Sequence, residues 1–241
     1  MLVQLENPVV LSKAVDILSE LVTEVRLKVN EFGMSVVAMD PANVSMVSFK
    51  IPKGAFSLFE SGEEVLGINL DSLKKILKRC GSGSTLILEK RENMLEIKIQ
   101  DRIKRNFSLN LIEVESEDKD MPNLEFSSQV ELDSIDLIAS VEDCSVVADA
   151  CSFIIEGNKF IIEAKGLNSA RSEFSGDEAR ILAEDCKSRY SLEYLQKFIK
   201  GSKLSEKTTL NFANDHPLKM SVKTENLRID FILAPRVETE D

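Results

Sequence analysis

The sequence of 241 residues has no tryptophan, one histidine, two tyrosines and four cysteines. A lone histidine, His216, cannot make a multi-histidine metal site, and any Ser-His-Asp triad would have to be assembled around it. Twelve phenylalanines and two tyrosines are too few for the aromatic platforms on which single-stranded nucleic acid stacks. Cys80, Cys144, Cys151 and Cys186 show no C-x-x-C spacing, which excludes a zinc knuckle or thioredoxin-type motif. They read as buried free thiols in a reducing compartment. No run approaches the roughly 18 apolar residues of a membrane span. The start, MLVQLENPVVLSK, has no basic stretch ahead of an apolar core, so a soluble intracellular protein without a secretory signal is expected. Positive charge is also scarce: 30 Lys and Arg stand against 41 Asp and Glu, a formal charge of −11.

What is present is an ordinary globular composition, 43% apolar and 29% charged. The length suits one large domain or two of about 120 residues. An internal repeat favours two. LDSLKKILKRCGSGSTLILE (70–89) and SLEYLQKFIKGSKLSEKTTLNF (191–212) align so that Leu73, Lys75, Ile76, Leu77 and Lys78 fall on Leu195, Lys197, Phe198, Ile199 and Lys200, an offset of 122. Each segment reads as a short amphipathic helix, a Gly/Ser turn and an apolar strand. Residues 9–39 and 132–164 form a second pair, helix then hairpin, turning at Gly33 and at Gly157–Asn158.

Between the copies, LIEVESEDKDMPNLEF (111–126) loses its apolar periodicity after Val114 and reads as an exposed linker. Strands are expected at 26–30, 35–39, 44–51, 85–90, 94–100, 104–112, 153–156, 159–164, 208–213, 219–223 and 227–233. Hairpin-length turns join many of them, so the sheets should be mostly antiparallel. The expected class is α+β: two similar domains, 1–112 and 127–241, with two helices each, joined by a connector at 113–126.

Charge on the helices says more than net charge. Helix 71–80 gathers Leu73, Ile76, Leu77 and Cys80 in one stripe and turns Lys74, Lys75, Lys78 and Arg79 to the other side. Its repeat buries Leu192, Leu195, Phe198 and Ile199 and carries Lys197 and Lys200, with Lys203 just beyond. On a single helix such lysines merely solubilise; repeated at equivalent positions in an acidic chain, they point to an anionic partner met by one surface. The other two helices differ. Helix 11–24 buries Leu11, Ala14, Val15, Leu18, Leu21 and Val22 and exposes Lys13 together with Asp16 and Glu20. Helix 133–148 buries Leu137, Ile138, Val141 and Cys144 and has no Lys or Arg. A polyanion facing all four would be held loosely and with strong salt dependence.

GMSVVAMDPANVSMVSF (33–49) resembles the segment after the first helix in sliding clamps of the proliferating cell nuclear antigen (PCNA) type, and FILAPRVE (231–238) resembles their C-terminal strand and tail. NLDSLKKILK (69–78) and SLEYLQKFIK (191–200) are similar to the second helix of each clamp domain. The resemblance runs in order over essentially the whole chain. It implies a DNA clamp fold whose subunits close head to tail, three to a ring, around sequence-independent duplex DNA. It also implies a non-catalytic processivity factor in DNA replication and repair, with no cofactor, metal or membrane. The implied partners are DNA polymerase, clamp loader, flap endonuclease and ligase, held through short peptide motifs. The implied place is the cytoplasm at the nucleoid, or the nucleus in a eukaryote.

Carried over by position, DNA contact falls to Lys13, Lys74, Lys75, Lys78, Arg79, Lys197, Lys200 and Lys203. The peptide pocket falls to Met39, Val44 and Met46, to Met121 and Pro122 of the connector, and to Pro217, Ile232, Ala234, Pro235 and Val237. Without the family, Met39, Val44 and Met46 are simply alternating strand core. Ring closure implies paired edge strands, near 104–112 and 179–186. Three departures stand out: Lys119 where an apolar residue is usual, the lack of a basic residue on helix 133–148, and the short SEFSGDEA (172–179). They suit a subunit of a mixed ring.

Two other readings stay open. CGSGST (80–85) lacks the phosphate-loop lysine and follows a helix instead of opening one, so it reads as a helix stop. Asp118 with Asp120, or Asp40 with another acid, could hold Mg²⁺ in a nuclease-like site. A peptide-binding adaptor that encircles no DNA is the remaining alternative.

Overall fold

The computed structural model describes residues 1–115 and 119–237. The chain divides into two compact units. The first comprises residues 1–41, 47–121 and 225–228; the second comprises 42–46, 122–224 and 229–241.

The first unit begins with β1 (Leu2–Leu5), α1 (Val9–Leu18), β2 (Glu24–Asn30), β3 (Gly33–Met39) and β4 (Ser45–Pro52), whose first two residues belong to the other unit. A 3-10 turn (Lys53–Ala55) leads to β5 (Leu58–Glu60) and β6 (Glu64–Asn69). Then come α2 (Leu70–Leu77), β7 (Thr85–Arg91), β8 (Met94–Gln100) and β9 (Lys104–Asn110). The second unit runs through β10 (Ser128–Asp133), α3 (Ser134–Val147), β11 (Ala150–Glu156), β12 (Lys159–Lys165) and β13 (Ser169–Phe174). It continues with β14 (Ala179–Ala183), β15 (Cys186–Ser191), α4 (Leu192–Ser202), β16 (Lys207–Phe212), β17 (Leu218–Lys223) and β18 (Arg228–Leu233).

The two strand orders are the same. In the first unit they are β5-β1-β7-β8-β9 and β4-β3-β2-β6; in the second, β14-β10-β16-β17-β18 and β13-β12-β11-β15. The hairpins and their neighbours pair antiparallel, as in β7–β8 and β11–β12. The α+β class with two helices per repeat is therefore what the chain adopts.

Period-2 alternation builds the sheets. β8 buries Leu95, Ile97 and Ile99 and turns Glu96 and Lys98 outward. The helices bury one stripe each: Leu11, Ala14, Val15 and Leu18 on α1, and Leu137, Ser140, Val141 and Cys144 on α3. α2 starts where Asn69 Oδ1 accepts the Ser72 N–H at 3.0 Å, a side-chain cap of the kind that stabilises by about 1 kcal/mol. Phe153 and Phe160 meet edge to face at 5.6 Å in the second core.

Several boundaries differ from the expected ones. Helix 11–24 ends at Leu18, because the chain turns through Ser19 and Glu20; Leu21 and Val22 are still buried, but from that turn. Helix 71–80 ends at Leu77, which leaves Arg79 and Cys80 in the turn after it. The Gly201–Ser202 pair is the last turn of α4 and not a Gly/Ser loop. The strand expected to reach Ile112 stops at Asn110, since the Leu111 and Ile112 N–H groups bond away to Asn93 O and Gly67 O. The stretch 179–186 is not one strand: β14 pairs with β10, and after Glu184 and Asp185 the chain pairs as β15 with β11. β1, β5, β6, β10, β13 and β15 were not among the expected strands; several are short, and half their residues are polar. Ile138 is only half-buried, while Ile135 and Val146 of α3 are exposed. Of the cysteines, all are free; three are buried, and Cys80 is half-buried.

Gly201 shows why a helix tolerates glycine here. A Cβ at that position would lie 2.9 Å from Phe231 Cε2, and Phe231 stacks on Phe198 with centroids 4.4 Å apart. Gly201→Ala should gain about 1 kcal/mol of helix propensity and lose more, about 1–3 kcal/mol, to overpacking. A lower thermal midpoint is expected; a higher one would mean that Phe231 yields at little cost.

Candidate nucleic-acid interface and peptide-binding site

The basic positions fall on or just after the helices but are not alike. Lys13, Lys75, Lys78, Arg79, Lys200 and Lys203 are exposed. Lys74 is not: its ammonium is 2.8 Å from Asp16 Oδ1 and donates to Ser19 Oγ at 2.9 Å, so it ties α2 to α1. Lys78 also approaches Asp16, at 3.8 Å. The Arg79 carbonyl accepts from Arg105 Nη1 at 2.9 Å, which fixes the turn. On α4, Lys197 bonds Glu193 one turn back at 3.1 Å and lies 4.9 Å from the Tyr194 ring centre. Lys197, Lys200 and Lys203 line one concavity together with Glu142 of α3. Sequence reading placed Asp16 outward and passed over Glu142. Neither acid's proximity to lysine was legible without helix packing.

The pocket residues are best taken unit by unit. In the first, Met39 and Lys119 line a cavity of about 320 Å³ together with Val25, Val37, Pro41 and Val114. Lys119 Nζ is 3.3 Å from Met39 Sδ. Val114 is a lining residue that sequence reading missed. Met121 is half-buried.

In the second unit, the Ala234 N–H donates to Val44 O at 2.9 Å, so the start of the tail is seated beside the residues before β4. Met46 and Ile232 are buried, Val44 and Pro122 are exposed, and Pro217, Ala234 and Pro235 are half-buried. Pro217 follows His216, whose carbonyl accepts from Tyr190 Oη at 2.7 Å and Ser188 Oγ at 3.1 Å. Burial pushes the Tyr190 hydroxyl above its ordinary range, so it stays protonated as a donor. Val237 points elsewhere: it lines a polar concavity with Lys187, Arg189 and Asn214. The Arg236 N–H donates to Arg189 O at 2.7 Å, which turns the tail that way.

Ser188 and His216 do not form a nucleophile–base pair. Ser188 meets the backbone carbonyl of His216 and not its ring, and the ring stands edge-on to Phe126 at 5.4 Å. Burial raises the Cys80 and Cys186 thiols above their ordinary range, away from a reactive thiolate. Among the described residues no group of three His, Cys, Asp or Glu could hold a metal. Asp118 lies outside the described residues, and Asp40 is buried.

Gly67 sets the connector's origin. The Ile112 N–H donates to Gly67 O at 3.0 Å, and a Cβ on Gly67 would stand 1.9 Å from Ile112 O. Gly67→Ala should therefore detach residues 111–115 from β6. Limited proteolysis at Glu113 and Glu115 is expected to run faster than in the wild type; an unchanged rate would show that the strand shifts instead.

Comparison with known proteins places this geometry. Residues 1–120 match the family described as proliferating cell nuclear antigen, N-terminal domain, and residues 120–237 match its C-terminal domain. A DNA polymerase sliding clamp of Pyrococcus furiosus is 38% identical over 236 residues, covering 94% of each chain. One of Thermococcus onnurineus is 39% identical over 229 residues, 91% of this chain and 92% of the relative. The crystal structure of proliferating cellular nuclear antigen from Entamoeba histolytica superposes with a TM-score of 0.91 at 25% identity, covering 98% of both chains. The PCNA2–PCNA3 complex of Sulfolobus tokodaii gives 0.89 at 24% identity, covering 99% of this chain and 100% of that one, which shows the fold alone. With both halves matched in order, the chain belongs to the proliferating cell nuclear antigen family.

Proposed function

We propose that the chain is a subunit of a DNA sliding clamp that encircles duplex DNA and tethers DNA polymerase and other replication and repair enzymes. The observation that carries this reading is the twofold repeat: each unit sets a lysine-bearing helix, α2 or α4, beside its partner helix. A basic helical surface on a chain of charge −11 holds a polyanion without gripping it, and the acidic remainder repels it. The DNA-facing cations are Lys13, Lys75, Lys78, Arg79, Lys197, Lys200 and Lys203; Lys74 serves less well, since Asp16 and Ser19 hold it. Partner peptides from polymerase, clamp loader, flap endonuclease and ligase use Met39 and Met121, together with Val44, Met46, Pro122, Pro217, Ile232, Ala234 and Pro235. Val237 serves less well, since it lies with Lys187 and Arg189. The repeats are taken as 1–112 and 127–241 with the connector at 113–126. No residue is assigned to catalysis. No helix among the described residues is long and apolar enough to cross a membrane, and the place of action follows the DNA: nucleoid, or nucleus in a eukaryote.

The mass and topology of the assembly test the reading. Light scattering should give about 81 kDa, three times 26.9 kDa. The loaded protein should stay on nicked circular DNA and be lost when that DNA is linearised. Retention on linear DNA without blocked ends would overturn encirclement. A persistent monomer that assembles only with related subunits would favour a mixed ring, the reading supported by the absence of Lys and Arg from α3.

Closure needs an edge from each unit. β9 is the edge of its sheet, and the second unit offers β13 and β14. β13 is six residues long and β14 five, so the longer edge is the better match for the seven of β9. On assembly, amide exchange should slow in β9 and β13 while β14 keeps its rate. The reverse pattern would return closure to the 179–186 stretch.

A further inference from the structure

α1 and α3 occupy the same place in the two repeats. Setting the buried Leu11, Ala14, Val15 and Leu18 on Leu137, Ser140, Val141 and Cys144 brings Asp16 onto Glu142. The repeat that joins α2 to α4 brings Lys78 onto Lys200. In the first unit the Asp16 carboxylate lies 2.8 Å from Lys74 and 3.8 Å from Lys78. In the second, Glu142 shares a concavity with Lys197, Lys200 and Lys203. The two first helices otherwise differ in charge, for α1 has Lys13 and α3 has no cation. Both nevertheless keep an acid at this one position.

We infer that Asp16 and Glu142 are built-in counter-anions that compete with DNA phosphates for the lysines of α2 and α4 and so keep the clamp's hold on DNA weak. This rests on the clamp reading above. A lysine that reaches a phosphate from water releases a condensed counterion from the DNA. A lysine already neutralised by a carboxylate must first leave it, and the abandoned carboxylate then faces the phosphate. The gain per contact shrinks, and the protein slides more readily. Glu193, which bonds Lys197 at 3.1 Å, acts in the same direction within α4; its counterpart at the offset of 122 is Asp71, also an acid four residues before a lysine.

The test compares wild type with Asp16→Asn, Glu142→Gln and the double variant, titrated onto a fluorescent linear duplex by anisotropy across a salt series. The double variant should bind several-fold tighter at low salt, and its slope of log K against log salt should steepen by roughly one to two. Equal or weaker binding with an unchanged slope overturns the inference. Glu142→Gln decides alone if Asp16→Asn loosens α1 from α2, which a thermal midpoint and the solution mass of each variant would reveal. Lys75→Glu with Lys197→Glu is the control. If it leaves binding unchanged, the helices do not meet DNA, and the clamp-lining reading falls together with the inference. If it weakens binding while the acid variants do nothing, only the inference falls.

Discussion

Each helix among the described residues has one apolar stripe to bury. Leu70, Leu73 and Leu77 of α2, and Leu192, Leu195, Phe198 and Ile199 of α4, are buried against their own units. Burying a side chain of this kind contributes about 1.5–3 kcal/mol, far more than a surface ion pair at about 0–1 kcal/mol. The stripe therefore sets the rotation of each helix, and the lysines face outward as a consequence. Lys75 and Lys78 cannot turn inward without exposing Leu73 and Leu77. The proposed DNA-facing surface is the remainder of a packing problem already solved.

The repeat carries that solution twice, with the same strand order in each unit and different electrostatics on top. In the first unit an acid and two lysines are tied across α1 and α2. In the second, α3 brings only acids to the lysines of α4. The core positions keep their burial while their residues change, as Leu18 falls on Cys144 and Ala14 on Ser140. The outer positions differ in charge between the repeats, and on the proposed clamp reading that difference sets how firmly a polyanion is held. An acidic chain with a basic helical surface is thus the expected design for a protein that must stay on DNA without reading it.

Much of the fold was legible because it rests on periodicity. β8, with its strict alternation of Leu95, Ile97 and Ile99, was read to the residue. The helices were read by their stripes, but not their ends, since Leu21 and Val22 continue the apolar pattern of α1 after the backbone has turned. The short strands escaped notice: β5 is three residues long, and its identity comes from pairing with β1. Gly201 looked like a turn because glycine usually is one. Only the Phe231 ring beside it explains a glycine inside α4.

The same division holds for the site. The sequence alone determined that there are two repeats, which helices carry lysine, and that no multi-histidine metal site or C-x-x-C motif is present, because these follow from residue counts and from spacing along one chain. Tertiary structure decided which lysines are engaged, that Val237 turns toward Lys187 and Arg189, and that Gly67 seats the connector. Those outcomes depend on groups tens of residues apart meeting within a few ångströms. Charge and hydrogen bonding act at that range, and periodicity along the chain does not report it.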